Sequence, residues 1–326
     1  MKRKSISFSV VILFLSASLL FSSIFQLEFY GGLSWLSPEN LNLLSSFQQS
    51  YENFYYYEAL SYWEQKGKIS DLSKKEEGLF KELKLAIPVG ARLKFRFSNN
   101  LSFSAGVSYL SRQQSSEVTL TYSWKQQDVA LERVNSYSPF EIYFKAISPS
   151  LGIHYLLPIK FSFLGSNSTL ELFLIGGPVF VKVRNYYSLS SQLKSGFYPI
   201  QKVNLVHSEE GQGRGTFIES GFKINLNLSE VSGIFLGATY RYCQASNFSG
   251  QGWEKITSGL QSGQETVERI DWEGDWAIKE FNFSEDWGNL TVKKPSNYTG
   301  EGVKYSNDFK VDLSGPQLIF GIFLKF

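Results

Sequence analysis

Eight ionisable side chains stand where they could do chemistry: Glu28, Arg92, Lys94, His154, Glu171, Glu219, Lys223 and Arg241. Each falls on the polar side of a two-residue alternation. Phe25, Leu27, Phe29, Gly31, Leu33 and Trp35, for example, alternate with Gln26, Glu28, Tyr30, Gly32 and Ser34. Carboxylates, an imidazole and ammonium groups gathered on one sheltered face could relay protons, pass ions or act as general acid and base. In low dielectric each of them needs a partner of opposite sign. Counting rungs from the short turns places Glu28 near Arg92 or Lys94, Glu171 near His154 or Lys223, and Glu219 near Arg241. A polar plug filling the interior is the expected use of this set, with an ion pathway as the alternative.

The elements that must position these groups are strands, because successive side chains of a strand point to opposite faces. In the second strand Leu83, Leu85, Ile87, Val89, Ala91, Leu93, Phe95 and Phe97 oppose Lys84, Gly90, Arg92, Lys94 and Arg96. Ser98-Asn99-Asn100 is a tight turn, and Leu101 to Tyr109 returns as a third strand. Further strands are read over Leu151–Leu157, Leu170–Arg184, Ser220–Leu228 and Leu236–Tyr242. Leu170–Arg184 is apolar on both faces, so alternation alone does not fix its parity; Glu171 is expected to point inward. Ser37-Pro38-Glu39 reads as a helix start, with Ser as cap and Pro in the first turn. It opens a long insert to about Gly78 that should hold one or two short helices. Val118 to Tyr122 suggests strands extending past a membrane, whereas Asn185 to Gly213 and Gln244 to Tyr305 read as loops.

The chain ends on Gln317 to Phe326, with Leu318, Phe320, Ile322, Leu324 and Phe326 on one face. A strand this apolar is a sticky edge unless a barrel closes around it. Phe309, Val311 and Leu313 lie on the other parity, which predicts a β-bulge at Ser314-Gly315-Pro316. Gly321, Leu324 and the terminal Phe326 resemble the C-terminal strand signal read by the assembly machinery of bacterial outer-membrane β-barrels, although that family usually has an aromatic where Leu324 stands. With short turns on one side and long connections on the other, the chain resembles the OmpA, OmpX and OmpW types of small membrane barrel. The implied fold is all-β: a closed antiparallel up-and-down transmembrane barrel of about eight strands, with long outer loops carrying short helices. Residues 1–23 read as a secretory signal peptide, with Lys2-Arg3-Lys4, an apolar Ile6–Leu20 and cleavage between Ser18 and Ser23. Residues 24–326 form the barrel domain.

The resemblance implies outer-membrane lipids and the barrel assembly machinery as partners, a monomeric state and a location in the outer membrane of a Gram-negative cell. The lead functional expectation is a structural or adhesive role at the cell surface through the outer loops. The alternative is a narrow, porin-like channel or transporter for small apolar ligands. A periplasmic soluble barrel is a third reading. Some outer-membrane barrels modify lipids with a His and a Ser, but those place the pair near the outer leaflet. His154 lies low by the rung count and His207 falls in an expected loop, so no catalytic set aligns and no enzyme is expected.

Composition agrees. A formal net charge of +2 marks no nucleic-acid partner. The aromatic content of 16% suits sheets and interface girdles, and a mean hydropathy of -0.15 excludes a bundle of membrane helices. The lone Cys243 reads as a small packing residue. Gly211-Gln212-Gly213-Arg214-Gly215 lacks the lysine of a phosphate loop and reads as flexible loop. Asp271, Glu273 and Asp275 alternate like calcium ligands but lack EF-hand spacing, so acidic surface is expected. No cofactor and no metal are expected. Trp253, Trp272, Trp276 and Trp287 could anchor at an interface or present a binding surface.

Overall fold

The computed structural model describes residues 25–36, 38–163, 166–196, 198–260, 265–283, 290–296 and 303–326. The leader read over residues 1–23, the cap residue Ser37 and Trp287 lie outside them.

Eight strands close into one antiparallel ring: β1 (Phe25–Trp35), β3 (Leu85–Arg96), β4 (Leu101–Gln126), β5 (Val129–Phe163), β6 (Ser166–Ser195), β7 (Tyr198–Asn227), β8 (Ser232–Leu260) and β14 (Gly315–Lys325). The closing seam joins β1 to β14, with Glu28 opposite Phe323 and Leu33 opposite Leu318. Phe326 N donates to Phe25 O at 2.9 Å, so the seam is paired down to its last residue. An edge that would otherwise recruit another strand is thereby removed. Phe25, Phe326 and the connections 97–100 and 228–231 lie at one end, called here the turn end.

Strands β4 to β8 run far past the ring's opposite rim and build a dome. β2 (Ser70–Gly78) pairs with upper β4, and β9 (Glu265–Asp275) and the short β13 (Val311–Asp312) with upper β8. β10 (Ala277–Phe283), β11 (Leu290–Ser296) and β12 (Val303–Asp308) form a separate small sheet. The first insert carries α1 (Glu39–Glu52), a π-helical turn over Asn53–Glu58 and α2 (Ala59–Gln65). Pro38, and not Ser37, occupies the cap position of α1, without a side-chain cap bond. α1 is held against the dome by side chains: Ser45 Oγ donates to Lys81 O at 3.0 Å, and Asn42 Oδ1 accepts from Leu83 N at 2.9 Å.

The segments read as loops over Asn185–Gly213 and Gln244–Tyr305 are therefore largely sheet. Their hairpin partners satisfy the backbone in β-ladders above the rim. Gly211 and Gly213 are strand residues of β7, where a Cβ would sit 2.7 Å from the Trp276 ring and 2.5 Å from the Phe248 ring. The glycines make room for aromatics and do not loosen a loop.

On β4, β6 and β7 the inward parity holds along the strand while its chemistry inverts, whereas on β5 and β8 register shifts near Pro139 and Asn247 move the inward positions by one residue. On β5, His154 and Ser148 face inward low in the barrel, and Ala146, Phe144, Ile142 and Phe140 face inward above them. Outward at the lower level stand Leu151, Ile153 and Tyr155, part of an apolar belt that includes Phe29, Leu93, Phe222, Leu236 and Phe320. A barrel in lipid needs that belt outside, while a dome in water needs its apolar side chains inside. The same inversion removes the bulge expected at Ser314–Pro316. Val311 opposes Ala245 and Gly315 opposes Arg241, four residues on along each strand, so no residue is inserted. Phe309, Val311, Leu313, Gln317, Ile319 and Phe323 all point inward. The apolar face changes sides because the surroundings change.

Candidate functional site

Each of the eight ionisable positions named from the alternation faces the lumen of the lower barrel and is buried. Glu28 on β1 is fully enclosed and meets three cations. Lys94 lies at 3.3 Å, Arg92 at 3.6 Å, and Lys223 reaches across from β7 in direct contact. Glu171 on β6 accepts from Lys94 at 2.7 Å and from Asn225 Nδ2 at 3.0 Å, with Lys223 at 3.4 Å. Lys94 and Lys223 thus bridge the two carboxylates across the lumen. Arg92 also lies 5.1 Å above the Tyr30 ring and 5.5 Å from the Phe173 ring, so its planar face is covered by aromatic surface. One rung-level higher, Arg241 donates through Nε at 3.0 Å and through Nη2 at 2.8 Å to Glu219. Its Nη2 also donates to Ser108 at 3.2 Å, and its guanidinium stacks on Phe217 at 5.0 Å. Phe217, Ile175, Val179, Leu110 and Cys243 close the lumen above this pair.

Sequence reasoning found no aligned nucleophile, base and orienter. The structure lines up three groups. His154 Nε2 lies 2.8 Å from Ser104 Oγ, and its Nδ1 lies 2.6 Å from Glu171 Oε1. This is the order of a hydrolytic triad. Ser104 was missed because it is one of several small polar residues on β4, and only the register opposite Gly152 and beside His154 singles it out. The local setting is unlike a working nucleophile. Ser104 is packed behind Gly152, whose Cβ would lie 2.9 Å from its Oγ. The small recess at the turn end, about 80 Å³, is lined by His154 and Glu171 but not by Ser104. Glu171 is shared by two lysines, so the line of hydrogen bonds chiefly fixes the imidazole within the charge network.

A second polar cluster lies beneath α1, in the dome. The Glu52 carboxyl, almost wholly enclosed, accepts from Asn135 Nδ2 at 2.9 Å and from the Tyr137 hydroxyl, to which Gln48 also donates. Burial pushes its pKa above the usual carboxylate range, against the opposing effect of those two hydrogen bonds. Burial and the neighbouring Glu52 likewise push the Tyr137 hydroxyl well up. His207, expected in a loop, is a buried strand residue stacked 4.6 Å from the Tyr187 ring, with Nδ1 3.2 Å from Glu254.

The remaining positions fall on the surface. Asp271 is exposed and paired with Arg269 at 2.8 Å, and Glu273 and Asp275 border an open depression. Among the described residues no group of His, Cys, Asp and Glu is arranged to hold a metal. Trp253 carries Arg269 over its ring at 5.0 Å, Trp272 lies 5.6 Å from His207, and Trp276 is buried against Phe309. Gly321, Leu324 and Phe326 lie on the seam strand or just beyond it, Leu324 and Phe326 facing outward. Cys243 is buried and unpaired as a thiol.

No family model matches the chain, and no curated protein matches it. Among solved structures, a likeness to the outer membrane protein OprG from Pseudomonas aeruginosa covers 94% of this chain and 97% of that one, at 11% identity and a TM-score of 0.28. A bacterial polysaccharide outer membrane secretin overlaps 94% of this chain and 99% of its own at 8% identity and a TM-score of 0.14. Superpositions this loose carry no argument about role.

Proposed function

We propose that the protein is an integral outer-membrane barrel with a sealed lumen, whose role is structural or adhesive and is exerted at the cell surface by its dome. The observation that carries this reading is the filling of the lower barrel. Two carboxylates and three cations pair across it, the Arg241–Glu219 pair lies above them, and an apolar layer lies above that pair. An eight-stranded interior is just wide enough for its own side chains to fill. The outward belt supports insertion in lipid, and the dome offers a large ordered surface beyond it. The barrel assembly machinery would read the seam strand that ends in Gly321, Leu324 and Phe326.

The reading is tested with a peptide epitope inserted between Gln127 and Asp128, at the tip of the β4–β5 hairpin. On intact cells the epitope should be labelled by an antibody that does not cross the outer membrane. Purified protein in planar bilayers should pass no resolved current. An epitope reached only after the cells are broken would reverse the orientation, and stepwise conductance would remove the sealed lumen.

A further inference from the structure

Between α1 and the inner wall of the dome lies a cavity of about 290 Å³, open on one side. Its walls are mostly aromatic and aliphatic: Phe47 and Tyr51 from α1, Tyr56 from the π-helical turn, Tyr187 from β6 and Leu205 from β7. One cation lines it, Arg133 of β5. Its guanidinium stacks 5.1 Å from the Tyr56 ring, and its Nη1 reaches Ser191 Oγ at 3.4 Å. Among the described residues no carboxylate comes within ion-pair distance of Arg133, although two are near. Glu254, on the cavity wall, is engaged by His207. Glu52 is turned into its own buried hydrogen bonds with Tyr137 and Asn135, and burial raises its pKa, which weakens it as a counter-ion for Arg133.

An apolar recess with one fixed, part-desolvated guanidinium is the arrangement that recognises a small carboxylic acid. Stacking on Tyr56 holds the guanidinium plane in place, so little ordering remains to be done when a carboxylate arrives. The volume suits a single ring or a short branched chain. We propose that this dome cavity binds a small organic acid, its carboxylate on Arg133 and its apolar body against Tyr51, Tyr187 and Leu205. This goes beyond the surface role proposed above and does not depend on it, since the site lies wholly within the dome.

The experiment uses the full chain in lipid nanodiscs, with 3-phenylpropionate as the probe and the uncharged 3-phenylpropionamide as its control. Binding is measured by isothermal titration calorimetry and by saturation-transfer NMR, with empty nanodiscs subtracted. The acid should bind, and the amide should bind at least about tenfold more weakly, the loss expected when a charge-assisted hydrogen bond is removed. Arg133→Gln should weaken the acid by a similar factor and leave the amide unchanged. Leu205→Trp should exclude both while keeping the charge. Because Arg133→Gln could perturb the dome, each variant is first required to show the parent's heat-dependent mobility on gels. Acid and amide binding alike, no binding of the acid above empty nanodiscs, or Arg133→Gln binding the acid as well as the parent would each overturn the proposal.

Discussion

The charge network in the lower barrel makes a strong demand on Glu28. Its carboxylate faces Lys94 at 3.3 Å and Arg92 at 3.6 Å, with Lys223 in contact. At an effective dielectric of about 20, each of the first two contacts is worth roughly 5 kcal/mol of Coulomb energy. Removing these ions from water costs several kcal/mol apiece, so the native arrangement nets far less than the sum. Glu28→Gln deletes the attraction but leaves Arg92, Lys94 and Lys223 facing Glu171 alone. Removal of one partner from a buried set costs about 3–5 kcal/mol, and that is the expected loss. Lys223→Met in addition should restore most of it. Leaving His154 aside, three cations against two carboxylates is one excess positive charge, and two against one is the same excess. The assay is urea unfolding in lipid vesicles, followed by gel mobility and by maleimide capture of Cys243, which is buried in the fold. If Glu28→Gln costs less than about 1 kcal/mol, the value typical of an exposed pair, the network is solvated and the sealed-lumen reasoning fails. Additive losses in the double variant would refute the charge-balance argument.

Three further outcomes follow from separate parts of the molecule. The Glu52 carboxyl has its pKa raised in the fold, so the unfolded segment gives up its proton first as pH rises; docking of α1 is therefore strongest below the ordinary carboxylate value and weakens above it. The protection of residues 39–52 relative to the intrinsic exchange rate at each pH should fall from acid to neutral pH, and Glu52→Gln should flatten that fall; an unchanged fall in the variant would assign it elsewhere. A Cβ on Gly90 would lie 2.4 Å from the Tyr30 ring, so Gly90→Val should displace Tyr30 from Arg92 and cost about 1–3 kcal/mol in the same unfolding assay. Deleting Phe326, whose backbone closes the seam with Phe25, should lower the amount of protein in the outer-membrane fraction, and normal levels would argue against a terminal assembly signal.

Much of the lower barrel was legible because two solvents act on its two faces. Lipid demands apolar residues outward, and close packing admits only paired charges inward, so alternation in β1 and β3 carries both the strand and its direction. The positions of Glu28, Arg92, Lys94 and Glu171 can be read from that pattern, since a buried charge without a partner is too costly to keep. The dome was not legible in the same way. Its strands continue the barrel's ladders, but the polar and apolar faces exchange, and a window that spans the change shows either two apolar faces or an apparent slip. Leu170–Arg184 shows the first symptom and Phe309–Leu318 the second. Glycines that accommodate Trp276 and Phe248 added a false signal of flexibility at Gly211–Gly215.

The level of that exchange bears on how the two halves depend on each other. Below it the interior is an electrostatic fit whose members need one another; above it the interior is mainly an apolar core, with a hydrogen-bonded polar cluster beneath α1. The two fillings differ in kind, and no charged pair among the described residues crosses from one to the other. Changes in the dome, such as filling the cavity beside Arg133 or undocking α1, should therefore leave the lower network in place. Changes in the network reach the dome only through the shared strands β4 to β8. On the role proposed above, this division would let the dome vary while the base stays fixed. The lumen charges pair among themselves below the exchange, while Arg133, which has no carboxylate within ion-pair distance among the described residues, lies in the dome.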